Sequence, residues 1–244
     1  MRRVLLPALL IIAATTVADA GTAVDRARAL IVRYDEDPTR IDRARELLER
    51  ELARERRPET LTALAQVCFL SGEVRAQTDE AKLAAYACGR DAGERAVELA
   101  PRSEDAHVWY AINTGRWAQT KGVMRSLFLV PTVRQELDVI FDLNPRSVRG
   151  HALAGNVFFE LPALVGGDRK KAEDHYRKGL AADPRFTVLR VDLARLLIAQ
   201  GRFTEARQEL RRVLDESAPT SIADWTVRDR PRARALLDTI KDKP

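Results

Sequence analysis

The stretch from Lys171 to Pro219, KAEDHYRKGLAADPRFTVLRVDLARLLIAQGRFTEARQELRRVLDESAP, contains one pattern twice. Ala172 and Tyr176 in the first copy correspond to Ala206 and Leu210 in the second, and the two alanines are 34 residues apart. A repeat of this length is a pair of helices that cannot bury its apolar face without a stacked neighbour. The pattern therefore predicts an all-α fold built from helix hairpins stacked side by side.

The period and the composition together indicate a particular kind of helical array. A spacing of 34 residues is that of the tetratricopeptide repeat. The chain is 45% hydrophobic but only 6% aromatic, which suits closely packed helices better than sheets. We therefore predict a tetratricopeptide-like α-solenoid that forms one domain over residues 21–244.

The prolines that punctuate the repeats are unevenly spaced. Pro101 and Pro145 are 44 residues apart, Pro145 and Pro184 are 39 apart, and Pro184 and Pro219 are 35 apart. The central repeats are therefore expected to be irregular. The extra residues lie in an apolar connector, 122–131, and in a turn, 161–168; insertions in a solenoid are candidate functional segments.

Several helix boundaries can be predicted from local signals. In Asn144-Pro145 and Asp183-Pro184 a capping side chain directly precedes a proline, which predicts helix starts. A last amphipathic helix over residues 229–241 is expected to cap the solenoid. One long helix has an apolar stripe of mostly small residues, which predicts close packing against its neighbour; the stripe consists of Ala81, Ala85, Cys88, Ala92, Ala96 and Leu99.

The first twenty residues form a separate signal. Arg2 and Arg3 precede an apolar run from Val4 to Val17, and Ala18-Asp19-Ala20 is a typical cleavage site before Gly21. We predict a signal peptide over 1–20 and a periplasmic or secreted protein, without a lipoprotein cysteine and without a membrane span after cleavage. The alternative is an uncleaved N-terminal anchor.

Four stretches of the chain carry a resemblance to a known family. They are HVWYAINTGRWAQ at 107–119, FDLNP at 141–145, GHALAG at 150–155 and ELP at 160–162. They resemble the divergent tetratricopeptide proteins that comprise the T-component of TRAP-type transporters and the regulator-of-microtubule-dynamics group. The resemblance covers roughly residues 60–215.

The transporter branch of this resemblance implies a specific role. It implies a periplasmic accessory protein that partners a solute-binding protein and encloses a hydrophobic pocket or pore. The lipoprotein members of that branch have an N-terminal cysteine, which this chain lacks. Membrane anchoring of that kind is therefore not expected here.

The residues that catalysis requires are scarce. The three histidines, His107, His151 and His175, lack the spacing of a zinc motif, and no G-x-S-x-G elbow occurs. The turn at 165–168 lacks the glycine pattern of a phosphate loop, and Asp168 is expected to be a helix N-cap. We predict a non-enzymatic protein without metal or cofactor; an enzyme whose residues meet only in the fold is the alternative.

The charge pattern does not indicate nucleic-acid binding. The net charge is +5, and arginines alternate with acidic residues along the predicted helices, as expected for solvated faces with ion pairs. No basic block is interleaved with aromatic residues. We therefore expect no nucleic-acid partner.

Cys68 and Cys88 are the only cysteines. Export would permit a disulfide. If a helix ends at Ser71-Gly72, however, Cys68 lies near the turn and Cys88 lies more than two helical turns from it, so their Cα separation could exceed the roughly 7 Å that a disulfide tolerates. Two buried core cysteines are the default interpretation, and a disulfide is the alternative.

The aromatic residues are concentrated in one region. Aromatic rings with polar groups are typical of binding sites, and a guanidinium can orient a carboxylate. The predicted site for a ligand or partner consists of Trp109, Tyr110, Asn113, Arg116, Trp117, Met124, Leu127 and Phe128. The alternative is that Trp109 and Trp117 only fill the core between repeats.

Together these features predict an exported scaffold that holds a protein partner and a small apolar or carboxylated ligand. In the narrower version, the partner is a periplasmic solute-binding protein of a TRAP-type uptake system. Oligomers are compatible with either version. The alternative function is a structural or assembly factor of the cell envelope without a small-molecule ligand.

Overall fold

The structure is a computed structural model that describes residues 22–244, without the side chains of residues 123–126. The predicted signal peptide lies outside the described residues. The helices are α1 (Ala23–Ile31), α2 (Thr39–Leu52), α3 (Pro58–Leu70), α4 (Asp79–Leu99), α5 (Glu104–Lys121), α6 (Val123–Leu143), α7 (Val148–Glu160), α8 (Arg169–Ala182), α9 (Thr187–Ala199), α10 (Phe203–Leu214), α11 (Ile222–Asp224) and α12 (Arg230–Thr239).

Helices α1 to α10 form five successive hairpins. The first helices of neighbouring hairpins also touch, since α1 contacts α3, α3 contacts α5, α5 contacts α7 and α7 contacts α9. They therefore share one side of the array, called the inner face below. Residues 22–244 contain no strand, so the predicted all-α, tetratricopeptide-like solenoid is confirmed.

The residues that defined the repeat are fully buried. Ala172, Tyr176, Ala206 and Leu210 have no exposed surface. They lie on α8 and α10, the second helices of the last two hairpins, and belong to one hydrophobic cluster. The 34-residue period therefore corresponds to the same buried position in two successive repeats.

The predicted helix starts at Asn144 and Asp183 are wrong by three or four residues. Asn144 Oδ1 accepts a hydrogen bond from the Arg146 backbone (3.0 Å), and Asp183 Oδ1 accepts one from the Arg185 backbone (2.9 Å). These are turns between helices, because an Asn or Asp side chain can also bond the backbone two residues on. The helices begin later; Ser147 caps α7.

The small-residue stripe is confirmed only in its middle. Ala85, Ala92 and Ala96 are buried, whereas Ala81 is exposed and Leu99 is 55% exposed. Helix α4 is longer than the surface it shares with α3 and α5, so its two ends project beyond the contact.

The two insertions have different structures. The apolar connector at 122–131 is not a connector, because α6 already begins at Val123 and continues through Pro131. The segment 161–168 is a turn, as predicted, and contains a single 3₁₀ turn at Ala163–Val165. Asp168 caps α8 by accepting hydrogen bonds from the backbones of Lys170 (2.9 Å) and Lys171 (3.0 Å).

A π-helical turn brings the two cysteines together. Helix α3 does not stop at Ser71-Gly72 but continues as a π-helical turn over Ser71–Arg75 before α4 starts. The turn between the helices therefore lies farther from Cys68 than the sequence indicated. Cys68 and Cys88 have a Cα separation of 6.0 Å and form a disulfide. The default interpretation of two free core cysteines is corrected.

The C-terminal part of the chain joins both ends of the array. Residues Ile222–Thr239, called the closing segment, contain α11, a π-helical turn (Trp225–Asp229) and α12. Helix α12 packs on α9 and α10. Ala223 and Val227, however, pack into the cluster formed by the first hairpins. The predicted capping helix thus belongs to a segment that also contacts the opposite end.

Polar contacts hold the closing segment in place. Tyr34 Oη donates a 2.7 Å hydrogen bond to Asp224, 190 residues away, and Thr187 Oγ1 donates a 2.7 Å hydrogen bond to Asp229. Burial raises the pKa of Asp229 to about 6, although the Thr187 hydrogen bond and Arg228 act in the opposite direction. The Arg228 guanidinium lies 5.7 Å from the Phe69 ring. The inner face is therefore partly occupied by the chain itself.

The disulfide gives a first testable prediction. Because it closes a loop between residues 20 apart, reduction is expected to lower the free energy of unfolding by about 3 kcal/mol. The measurement is thermal or urea unfolding with and without reductant, after non-reducing mass spectrometry has established the bond. A Cys68→Ala/Cys88→Ala variant should be as stable as the reduced protein and insensitive to reductant. Free thiols in protein purified under oxidising conditions would contradict the bond.

Candidate binding site

Helix α5 carries five of the predicted site residues, and two of them are core residues. Trp109 is 7% exposed and its ring centroid lies 5.6 Å from that of Phe69. Asn113 is fully buried, and its Nδ2 donates hydrogen bonds to the carbonyls of Ala65 (3.0 Å) and Trp109 (2.8 Å). Both side chains therefore hold α3 and α5 together. For Trp109, this position corresponds to the alternative interpretation, in which the ring fills the core between repeats.

Two more predicted residues lie at the edge of α5. The half-buried Trp117 has Arg90 and Lys121 against its ring, at 5.3 Å and 5.7 Å from the centroid. Tyr110 Oη donates a 3.3 Å hydrogen bond to Glu94. These side chains are accessible and flanked by charged groups, so a partner can reach them.

Arg116 is held by a carboxylate of the protein. Its Nε donates a 2.8 Å hydrogen bond to Glu73, its Nη2 also pairs with Glu73, and its Nη1 donates to Gln119 (3.1 Å). Tyr86 Oη donates a 2.5 Å hydrogen bond to the same Glu73 oxygen. Glu73 occupies the place that a ligand carboxylate would take. The sequence suggested that Arg116 could orient a ligand carboxylate; in the structure Arg116 instead pairs with Glu73, which lies in the π-helical turn.

The electrostatics of this triad follow from its contacts. Burial acts to raise the pKa of Glu73, but the charges of Arg116 and Arg228 and the Tyr86 hydrogen bond outweigh it and lower the pKa. Burial and the Glu73 charge raise the pKa of Tyr86. At neutral pH the carboxylate is therefore ionised and the phenol is neutral.

The triad forms one wall of an open cleft of about 450 Å³. The other lining residues are mostly polar, and they are Gly72, Asp79, Lys82, Gln119 and Thr120. Lys82 pairs with Asp79 at 3.5 Å and its side chain is 40% exposed. An open polar cleft of this kind can bind a polar peptide segment through hydrogen bonds and exchanged ion pairs.

The predicted pocket between α5 and the connector is not assembled. Phe128 projects into solvent with 74% of its surface exposed, whereas Trp109 is buried. Leu127 is half-buried on α6, and the Met124 side chain lies outside the described residues. Phe128 and Trp109 therefore do not line one enclosed site.

The fold also brings together two histidines that are 24 residues apart in the sequence. His151 Nδ1 on α7 and His175 Nδ1 on α8 are 3.0 Å apart. Phe141 and Phe158 flank His175, with ring centroids 5.6 Å away in both cases. Burial, the neighbouring His151 and Lys178 lower the pKa of His175 to about 4, and burial lowers the pKa of His151. Among the described residues no group of three or more possible metal ligands occurs.

The fold and these contacts can now be compared with known proteins. A sequence model of the family "Regulator of microtubule dynamics protein 1-3" matches residues 23–173. The chain belongs to this family. A tetratricopeptide repeat model matches residues 166–223, which contain the last repeats.

Two mammalian family members are similar in sequence. Regulator of microtubule dynamics protein 3 of Rattus norvegicus is 27% identical over 137 residues, which are 56% of this chain and 29% of that protein. The Mus musculus protein of the same name is 26% identical over 94 residues, 38% of this chain and 20% of its own length. The chain thus matches less than a third of these relatives.

A solved structure supports the fold. The crystal structure of a thermophilic tetratricopeptide protein from Thermus thermophilus superposes with a TM-score of 0.66 and 23% sequence identity. The match covers 88% of this chain and 99% of that one. At this identity the likeness extends to the fold alone. Among residues 22–244, no helix combines the length and hydropathy needed to span a bilayer.

The contact between α4 and α5 gives a second prediction. A Cβ at Gly89 would overlap the amide of Asn113, so Gly89→Ala is expected to destabilise the protein by about 2 kcal/mol despite alanine's better helix propensity. In an Asn113→Ala background this cost should largely disappear. The measurement is urea unfolding of the four proteins in the cycle.

Gly115 provides the control for that cycle. It lies in α5 with nothing within 4 Å of its missing Cβ, so Gly115→Ala should be stabilising by up to about 1 kcal/mol. Equal effects of the two glycine substitutions would contradict the close approach of α4 and α5.

The histidine pair gives a third prediction. A lowered folded pKa means that the unfolded chain binds protons first, so stability is lost as pH falls from about 6.5 toward 4. His175→Phe removes this titration, so its melting temperature should rise relative to the wild type by at least a few degrees over that range. The difference at pH 8, where both histidines are neutral, reports the packing effect alone. A pH-independent difference would contradict the proposed linkage.

Proposed function

We propose that this protein is an exported, non-enzymatic interaction scaffold that holds a protein partner at the cleft formed by Glu73, Tyr86 and Arg116. The open, polar and prearranged cleft is the observation that carries this proposal. The triad does not offer a free acid–base pair, because Glu73 and Tyr86 are hydrogen-bonded to each other and Glu73 also pairs with Arg116. The triad provides hydrogen-bonding groups that the surrounding helices hold in fixed positions.

The closing segment supports a role in protein binding. It is a helical stretch of chain that contacts the inner face through an ion-rich set of side chains, including Arg228 beside Phe69 and Asp224 beside Tyr34. The inner face can therefore accommodate a helical segment with mixed charges. Glu73 links the cleft to the closing segment. It lines the cleft, and the charge of Arg228 in the closing segment helps to lower its pKa.

The partner in the narrower proposal is a periplasmic solute-binding protein, with this chain as an accessory, T-component-like subunit of a TRAP-type uptake system. Export rests on the sequence of residues 1–20, and the Cys68–Cys88 disulfide is consistent with an oxidising compartment. The polar lining of the cleft favours a polar peptide segment over the apolar or carboxylated ligand. Oligomerisation remains a prediction that sedimentation can test.

The cleft gives a fourth prediction. A Lys82→Glu/Gln119→Ala variant reverses one charge and removes one amide at the cleft without changing a buried residue, because Lys82 and Gln119 are accessible. It is expected to weaken capture of a solute-binding protein from periplasmic extract by roughly tenfold. The measurement is affinity purification followed by quantitative mass spectrometry and by titration with the purified partner.

An Arg50→Glu variant is the matched control, since the Arg50 side chain is 72% exposed and pairs with Glu46 on the same helix. It should bind like the wild type. Capture of envelope assembly proteins in place of a solute-binding protein would support the alternative, a structural factor of the cell envelope. Equal capture by both variants would contradict the cleft as the binding site.

A further inference from the structure

Basic residues flank the two insertions, 122–131 and 161–168. Residues 121–134, KGVMRSLFLVPTVR, contain three basic residues and no acidic residue. Residues 161–171, LPALVGGDRKK, contain three basic residues and one acidic residue, Asp168. Basic residues therefore outnumber acidic ones in both segments.

The fold places both insertions together. Arg134 Nη2 on α6 donates hydrogen bonds to the backbone carbonyls of Val165 (3.2 Å) and Gly166 (3.3 Å). Gly166 has a φ of 93° and no Cβ, and a Cβ there would overlap the Arg134 guanidinium. Phe128 is six residues before Arg134, about 9 Å along the same helix. The turn therefore contacts the middle of α6, less than two helical turns along the axis from Phe128.

The two insertions expose large apolar side chains. Leu164 is 100% exposed, Phe128 is 74% exposed and Val165 is 36% exposed. The other exposed large hydrophobic residues in the described chain, Val32 and Leu99, lie elsewhere in the array. Three of the five thus belong to the two insertions. Single exposed apolar residues are common, but a local concentration on projecting segments indicates an interaction surface.

Exposed basic residues accompany these apolar groups. Lys170 and Lys171 lie in the first turn of α8 and are exposed. Cations are unfavourable at a helix N-terminus, where the helix dipole is positive, so helix stability does not explain them. The carboxylate of Asp168, which is nearby in sequence, is engaged with the α8 backbone. With three basic residues and one acidic residue, residues 161–171 have a net charge of +2.

We propose that Phe128, Leu164 and Val165, with Lys170 and Lys171, form a projecting patch that docks on the surface of an anionic lipid bilayer. Apolar side chains that enter the headgroup region, together with lysines on lipid phosphates, are the elements of peripheral membrane binding. A bilayer adapts to separate protruding side chains, whereas a protein partner needs a complementary pocket for each. The inference goes beyond the proposed function and requires no protein partner.

The experiment is vesicle co-sedimentation of purified protein. The chain from Gly21 to Pro244 is used, because the apolar run from Val4 to Val17 would bind lipid by itself. It is expected to bind phosphatidylcholine vesicles that contain phosphatidylglycerol, to bind pure phosphatidylcholine much more weakly, and to dissociate as salt is raised.

Two patch variants separate the apolar and charged contributions. Phe128→Gln/Leu164→Gln and Lys170→Glu/Lys171→Glu should each lower the affinity for anionic vesicles by at least about tenfold. Melting temperatures are expected not to fall below that of the wild type, because all four side chains are exposed and the two new carboxylates would lie at the N-terminus of α8, where the helix dipole favours them.

Matched controls change the same chemistry elsewhere. Val32→Gln/Leu99→Gln removes two exposed apolar side chains, and Lys241→Glu/Lys243→Glu makes the same change in net charge at exposed positions. Both should bind vesicles like the wild type.

Three outcomes would overturn the proposal. They are absence of binding to anionic vesicles, equal losses in the patch and control variants, and capture of a protein that depends on Phe128 and Leu164 without any lipid binding. The cleft variant Lys82→Glu/Gln119→Ala should leave vesicle binding within about twofold of the wild type, since it lies outside the patch. Loss of partner capture with retained vesicle binding, or the reverse, distinguishes failure of the proposed function from failure of this inference.

Discussion

Close approach between successive helices is the constraint on which this structure depends. A helix hairpin buries its apolar face only against its neighbour, and the neighbours here meet at positions without side chains. Gly89 on α4 faces the Asn113 amide, and Gly155 on α7 faces the Tyr176 ring, each too closely for a Cβ. The hydrogen bonds of Asn113 and the placement of Arg116 on α5 follow from this spacing, and through them the geometry of the cleft.

The features that were predicted best from the sequence are the buried positions that recur with the helical repeat. The repeated positions Ala172 and Ala206 are buried because a helix at that spacing presents the same face to the core in each repeat. Boundaries were predicted less well, because Asn and Asp side chains serve turns as readily as helix caps. Asn144 and Asp183 form turns, whereas Asp168 is a true cap. All three positions have an Asn or Asp side chain, so the residue type alone does not distinguish a turn from a helix cap. The tertiary packing of the flanking helices determines which of the two forms.

The candidate site was predictable only in part, since its main contacts join distant segments. The sequence suggested Arg116 as a residue that could orient a ligand carboxylate, but not its pairing with Glu73, which lies 43 residues away in a π-helical turn that no pattern signals. The same turn explains why Cys68 and Cys88 meet, contrary to the helix ends read from the sequence. His151 and His175 are 24 residues apart and become neighbours only because α7 and α8 form a hairpin.

The closing segment determines which surfaces remain available. By contacting the first hairpins and α9 it covers part of the inner face, which in an open solenoid would be the largest continuous surface. Asp229 is buried there, and its burial raises its pKa although Thr187 donates a hydrogen bond to it. The segment joins the two ends of the array, because Ala223 and Val227 pack with the first hairpins and α12 packs with α9 and α10. What it leaves open is the cleft beside Glu73 and the surface that carries Phe128 and Leu164. These two regions differ in chemistry, one polar with paired charges and one apolar with an excess of cations. The insertions, which interrupt the regular period, therefore add a surface that the regular repeats do not provide.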